Sequence, residues 1–229
     1  MVGFFDALVQ HAETQSATAV GFQQLLATLS SVDRDLVSGR IAELREDLTA
    51  STEQLEPEEV PEGAEAASAL FDLALEEWDA GLAAFDTSLL AVADDPESEE
   101  AVEGLAGAIQ RIAVGDLLYR RFLEESEGLR SDLDVAIAST YPEVSFIPER
   151  FAGTSAAASI AGTVRANPSL DLNPDIEINQ VSFEPEAVLN TDDQLVVTAT
   201  DEVTVSVVVA NVGNVPRLGG QLRVRLEDG

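Results

Sequence analysis

Asp171, Asn173, Asp175 and Glu177 are the residues whose spacing best suits chemistry. They place side-chain oxygens at alternate positions, as an acidic calcium loop does, and calcium is an oxygen-seeking cation. Such a loop also needs a glycine at its sixth position and a glutamate at its twelfth, where this chain has Ile176 and Ser182. The run is therefore a candidate for a structural calcium or a bound salt cation, set against a plain polar connection into a strand. No other cofactor is expected. His11 is the single histidine and lacks the Glu-x-x-His companions of a carboxylate-bridged di-metal bundle, so it reads as a surface or packing residue. Cysteine is absent, which removes thiolate catalysis and zinc–thiolate sites. Neither a glycine-rich phosphate loop nor a Gly-x-Ser-x-Gly elbow occurs. Asp192-Asp193 suits a turn, and Asp132 and Asp134 suit the start of a helix, where negative charge is favoured. Carboxylate pairs are so abundant that none singles out a catalytic pair. The chain is expected not to be an enzyme.

These few groups sit on an unusual background. The 229 residues hold 43 acidic and 12 basic side chains, a formal charge of -31, and every basic one is arginine. A small soluble domain usually carries ~2–8 net charges. Self-repulsion on this scale works against the compact state. It is tolerable in concentrated salt, where the Debye length falls to ~3 Å at 1 M. Residues 1–150 hold 32 acids and eight arginines, and residues 151–229 hold 11 and four, so the acidity belongs mostly to the first part, though both parts are acidic and the charges spread over several segments. The spread and the missing lysine favour adaptation to brine over a dedicated acidic partner surface. In this respect the chain resembles acidic haloarchaeal proteins. Nucleic-acid binding is not expected, because it needs a basic footprint. With 45% hydrophobic residues, the chain has material for a core and is not a disordered acidic tail.

The helical elements come first. Ala67, Phe71, Ala74, Trp78, Leu82, Phe85, Leu89 and Val92 recur three or four apart and define one apolar face. At this spacing Trp78, Phe71 and Phe85 are core residues before they are pocket linings. Val102, Leu105, Ile109, Ile112, Tyr119 and Leu123 define a second face, with Asp95 as cap and Pro96 at the first helical position. Asp116 falls on that face, and Arg120 one turn on makes it a partly exposed or arginine-paired residue. Two earlier seams contain Phe5, Leu8, Ala12, Phe22, Leu25, Leu26 and Leu29, then Leu36, Val37, Ile41, Leu44 and Leu48, with Ser30-Ser31 as a break between them. Gly128 is expected to close the fourth helix, and Ser131-x-x-Asp134 to cap a short final one. Residues 1–140 thus predict an antiparallel helical bundle.

From Tyr141-Pro142 onward helical spacing disappears, and residues 141–175 read as a linker or docking segment. β-alternation follows over residues 176–229. Ile176 and Ile178 share one phase while Val181 and Phe183 share the other, which predicts a bulge between them. Residues 194–199, Val203–Val209 and Leu222–Leu226 predict further strands. The fold class is α+β with separate domains.

Val205-Ser-Val-Val-Val-Ala-Asn-Val-Gly-Asn and Gln221-Leu-Arg-Val-Arg-Leu-Glu-Asp-Gly resemble the CARDB-type immunoglobulin-like adhesion modules of microbial surface proteins. The resemblance covers about the last 55 residues. It implies a β-sandwich used for spacing, adhesion or assembly, and it brings no catalytic residues. The four strands visible here are fewer than the ~7 of such a sandwich, so a partial sandwich is expected. The start of the chain has no basic segment before its apolar residues, so no signal peptide is expected, and no run approaches the ~20 apolar residues that span a bilayer. Together these features predict a non-enzymatic assembly protein of a halophile, made in the cytoplasm. A virion component of a haloarchaeal tailed virus leads: connector, tail, baseplate or capsid surface. A cellular surface or appendage subunit is the alternative, and a cytoplasmic ligand-binding or sensory bundle the second. Expected partners are proteins of a larger assembly, including further copies of the chain, with no membrane insertion.

Overall fold

The computed structural model describes residues 2–55, 60–132, 140–148, 151, 155–189, 195–198, 200–215 and 223. The chain divides into two compact units, Met1–Asp171 and Leu172–Gly229.

The first unit is helical. Helix α1 spans Val2–Thr28, α2 Arg34–Leu55, α3 Glu65–Asp94 and α4 Glu99–Asp132. A shorter α5, Ser155–Arg165, and a 3-10 turn, Pro168–Leu170, complete it. The seam that marked α3 is wholly buried, from Ala67 to Val92. The α1 seam is buried too, whereas Leu36 at the start of α2 is exposed. Contacts run in opposite directions along each neighbouring pair. Gln15 meets Ser51 and Thr18 meets Asp47 across α1 and α2. Arg34 meets Asp94 and Arg45 meets Asp79 across α2 and α3. Phe71 packs on Phe122, and Trp78 bonds Asp116, across α3 and α4. The four long helices are therefore successively antiparallel.

The α3–α4 pair makes the most extensive helix–helix contact. Two glycines let the backbones approach. A Cβ on Gly81 would lie 2.6 Å from Ile112 Cγ1, and one on Gly115 would overlap the Trp78 indole. The α1–α2 break falls at Thr28–Asp33, around Ser30-Ser31, and Asp33 caps α2 by accepting from the Leu36 N–H at 2.8 Å.

Three local expectations change. Asp95 does not cap α4: its N–H ends α3 on Ala91, and Ser98 accepts from the Ala101 N–H at 3.2 Å as the cap. Gly128 does not close α4, which continues through Ser131 to Asp132, and the short helix expected after it lies outside the described residues. The region after Tyr141 is not free of helix, because α5 buries Ala156, Ala157, Ile160, Ala161 and Val164 against α3 and α4. The seam of α5 is built largely of alanine, so its hydrophobic contrast is low. Asn167 fastens the end of this segment: its amide donates to the Leu29 and Val32 carbonyls, both at 2.8 Å, at the α1–α2 turn.

The second unit contains β1 Ile176–Glu184, β2 Val188–Leu189, β3 Leu195–Val196 and β4 Thr204–Asn211. Strands β1 and β4 pair antiparallel, as do β2 and β3. The register of β1 on β4 shifts between Ile178 and Gln180, so Asn179 is the bulged residue at the expected place. Its consequence is visible in the pairing. Ile178 opposes Val209, Val181 opposes Val207 and Phe183 opposes Val205. Opposed residues share a face and alternate residues along β4 share a face. The bulge therefore brings both phases of β1 onto one apolar side. The strand expected over Leu222–Leu226 and the Asp192-Asp193 turn lie outside the described residues.

Candidate functional site

The most concentrated polar arrangement in the helical unit is built around Asp116. Its position on the apolar face of α4 turns it inward, where it is only 7% exposed. Among the described residues, no arginine forms an ion pair with it. Arg120 makes only a long 3.4 Å contact to the Asp116 backbone carbonyl. Instead the carboxylate receives four donors. Trp78 Nε1 and the Phe146 N–H donate to Oδ1 at 3.0 and 2.9 Å. Ser145 Oγ and the Ile147 N–H donate to Oδ2 at 3.1 and 3.0 Å. Asp116 thus ties α3 and the segment Tyr141–Pro148 to α4. Burial pushes its carboxyl above the ordinary 3.8, and the four hydrogen bonds oppose that rise without cancelling it.

Tyr141–Pro148 forms a strap, and further bonds hold it. Tyr119 donates its hydroxyl to the Pro142 carbonyl at 2.7 Å, and burial pushes that phenol up. Gln23 of α1 donates to the Ser145 carbonyl at 2.7 Å. Phe146 is buried with its ring 4.8 Å from Trp78 and 6.3 Å from Phe22. The strap therefore bridges α1, α3 and α4. Its own Tyr141 phenol is pushed up to about 12, chiefly by burial.

Beside the strap is a cleft of ≈ 480 Å³ lined by α4 and strap residues, among them Asp116, Arg120, Leu123, Glu143 and Val144. A buried carboxylate with a raised pKa beside a cleft is the usual mark of an acid–base residue. Here the donors argue otherwise. Each Asp116 oxygen already accepts two hydrogen bonds from the protein, and a carboxylate serving a substrate must keep a lone pair for it. The geometry makes Asp116 a holder of the strap.

The run proposed from sequence as a cation site makes local bonds, most of them through its main chain. Asp175 Oδ1 accepts from the Ile176 N–H at 2.9 Å, and its carbonyl accepts from Val212 and Gly213. Asn173 exchanges bonds with Asn214: its N–H donates to Asn214 Oδ1 at 2.7 Å, and its carbonyl accepts from the Asn214 N–H at 3.0 Å. A Cβ on Gly213 would collide with the Asn173 carbonyl, so only glycine allows this close approach. Glu177 lies on β1 opposite Ala210, and Asp171 ends the helical unit. Among the described residues, no three acidic or histidine side chains converge as metal ligands. His11 lies on α1 and is nearly buried, in line with Gln15 and Thr18. Among the described residues, no helix is long and apolar enough to cross a membrane.

The second unit contributes a different kind of surface. The apolar side of β1 and β4 carries Ile176, Ile178, Val181, Phe183, Val205, Val207 and Val209, and none of these is buried. The other side carries Glu177, Gln180, Ser182, Glu184, Thr204 and Ser206, together with Val208 and Ala210. Sequence alternation marked both phases of β1; only the register showed that they share a face.

Comparison with protein-family models, with curated proteins and with solved structures returned no match. Function is therefore argued from these residues.

Proposed function

We propose that the chain is a non-enzymatic structural protein that joins a larger assembly in a high-salt organism. One observation carries the proposal: among the described residues, the apolar face of β1 and β4 is partly exposed, with Ile178 52% and Val209 50% exposed. Contiguous exposed apolar side chains mark contact surfaces. The likeness to immunoglobulin-like adhesion modules supports the same role, and the charge of -31 supports a brine. A virion component of a haloarchaeal tailed virus is the assembly we favour. Such a part folds inside a cell and then stands in salt water, and an acidic lysine-free surface suits both.

Electron microscopy of particle and envelope fractions kept in molar salt tests this. Repeated copies within virus particles are the expected result. Copies arrayed on the cell envelope would select the cellular surface subunit instead. Isolated monomers confined to the cytosol would contradict both. A cytoplasmic ligand-binding bundle has one observation in its favour, the cleft beside Asp116. It requires a small molecule that raises the melting temperature in molar salt, and a loss of that rise in Arg120→Gln.

A further inference from the structure

We infer that the cleft beside the strap binds a small zwitterion with an apolar body, the chemistry of an aliphatic α-amino acid. The inference concerns the helical unit and is independent of the assembly role proposed above. Ala113, Asp116, Arg120 and Leu123 follow one another three or four apart, so a single stripe of α4 forms one side of the cleft. Glu143, Val144 and Ile147 of the strap form the other. Every one of these residues is described, and the cleft measures ≈ 480 Å³. That volume falls within the ~300–1,000 Å³ of small-molecule sites.

Charge selects the ligand. Arg120 is the arginine that helical spacing offered to Asp116, yet the Asp116 carboxylate is filled by four other donors. Among the described residues the Arg120 guanidinium forms no ion pair, in a chain where acids outnumber arginines 43 to 12. The Glu143 carboxylate pairs with no arginine among those residues either, while its backbone carbonyl accepts from the Ser16 hydroxyl at 3.4 Å. Two opposite charges thus line one cleft, one from α4 and one from the strap, without meeting. A simple anion would satisfy Arg120 and be repelled by Glu143, and a simple cation would do the reverse. A ligand carrying both charges suits both groups. The apolar lining, Ala113, Leu123, Val144 and Ile147, suits a short aliphatic side chain.

Exposure sets the strength. Arg120 and Glu143 both face solvent, so each contact competes with water and salt, and binding is weak. Direct charge-assisted bonds of ~2.8 Å still lie within the ~3 Å Debye length of 1 M salt. A ligand held by both groups bridges α4 and the strap, and so adds to the hold that Asp116 has on the strap.

The probe is leucine, titrated into the isotope-labelled full chain in molar KCl to roughly 10 mM, ten times the weak limit of specific affinity. Amide chemical shifts report the site. Isocaproate and isopentylamine carry the same branched chain with the carboxylate alone or the ammonium alone. Arg120→Gln and Glu143→Gln each remove one charge at an exposed position and spare the fold. Arg121→Gln is the control, since Arg121 pairs with Glu124 and does not line the cleft. The expected result is saturable leucine shifts confined to the strap and the facing stripe of α4. Affinity falls about tenfold or more in Arg120→Gln and in Glu143→Gln, and holds in Arg121→Gln. Each single-charge probe binds the wild type more weakly than leucine, and in Glu143→Gln the gap between leucine and isocaproate closes. No saturable leucine shift, or shifts centred elsewhere, overturns the inference. A single-charge probe that binds the wild type as well as leucine does overturns the zwitterion assignment. An equal loss in Arg121→Gln shows a general charge effect and overturns the site. The microscopy of assemblies is unaffected by any of these results.

Discussion

Asp116 accepts hydrogen bonds from one side-chain indole, one hydroxyl and two backbone N–H groups. Replacing it tests whether that acceptor set holds the strap. Asp116→Asn keeps the shape but turns an NH2 toward donors that cannot reverse, and is expected to cost ~1–3 kcal/mol in denaturant melts. Asp116→Leu leaves three buried N–H groups without an acceptor and is expected to cost more. The pH dependence has a definite sign. The carboxyl holds its proton more tightly folded than unfolded, because burial raises its pKa above 3.8. Its contribution to stability is full below the unfolded value and is lost as pH rises through the raised folded value. The stability of the wild type relative to Asp116→Asn should therefore fall as pH rises from about 4. Thermal melts followed by the fluorescence of Trp78, the single tryptophan, will read this directly. Gly115 gives a second residue-scale test. Gly115→Ala forces a methyl into the Trp78 ring and is expected to cost ~1–3 kcal/mol by overpacking.

The strap is the element that completes the bundle. Phe146→Ala removes a ring packed on Trp78 and Phe22, and ~3–5 kcal/mol of stability should go with it. A red-shifted Trp78 emission would show that the strap had lifted; unchanged emission with unchanged melting would show that it carries little load. The contrast between α3 and the strap explains what the sequence could disclose. Every α3 seam residue is a large or small apolar group at helical spacing, so the buried face is written in the side chains. The strap buries Val144, Phe146 and Ile147, and most of its polar ties run through its own backbone N–H and C=O groups, which leave no period in the residue types. Asp116 was legible as a seam position, but Arg120 one turn on offered a surface explanation, and spacing reveals direction without depth. In β1 the alternation announced the bulge, because phase is a side-chain property. Which of the two phases met which residues of β4 depended on register, and that is a property of the paired strands. The alternate oxygens of Asp171–Glu177 suggested a ligand set. The backbones of Asn173 and Asp175 fasten the turn at Val212–Asn214, a role that no residue type announces.

For the whole molecule, charge and assembly are linked. Several arginines are committed to carboxylates across helices, such as Arg34 to Asp94 at 2.6 Å, Arg45 to Asp79 at 2.7 Å and Arg111 to Glu77 at 2.7 Å. With 43 acids against 12 arginines, most acids have no such neutralisation and depend on solvent cations. Exposed pairs like these are screened by solvent and salt, so they do not offset the repulsion. Both folding and assembly should then require salt. Sedimentation velocity of the full chain at fixed concentration, as KCl rises from about 0.1 M to molar levels where the Debye length drops from ~10 to ~3 Å, tests the two together. The predicted result is an expanded, slowly sedimenting chain at low salt that becomes compact and then associates as salt rises. A compact monomer with the same sedimentation coefficient at every salt concentration would contradict the account.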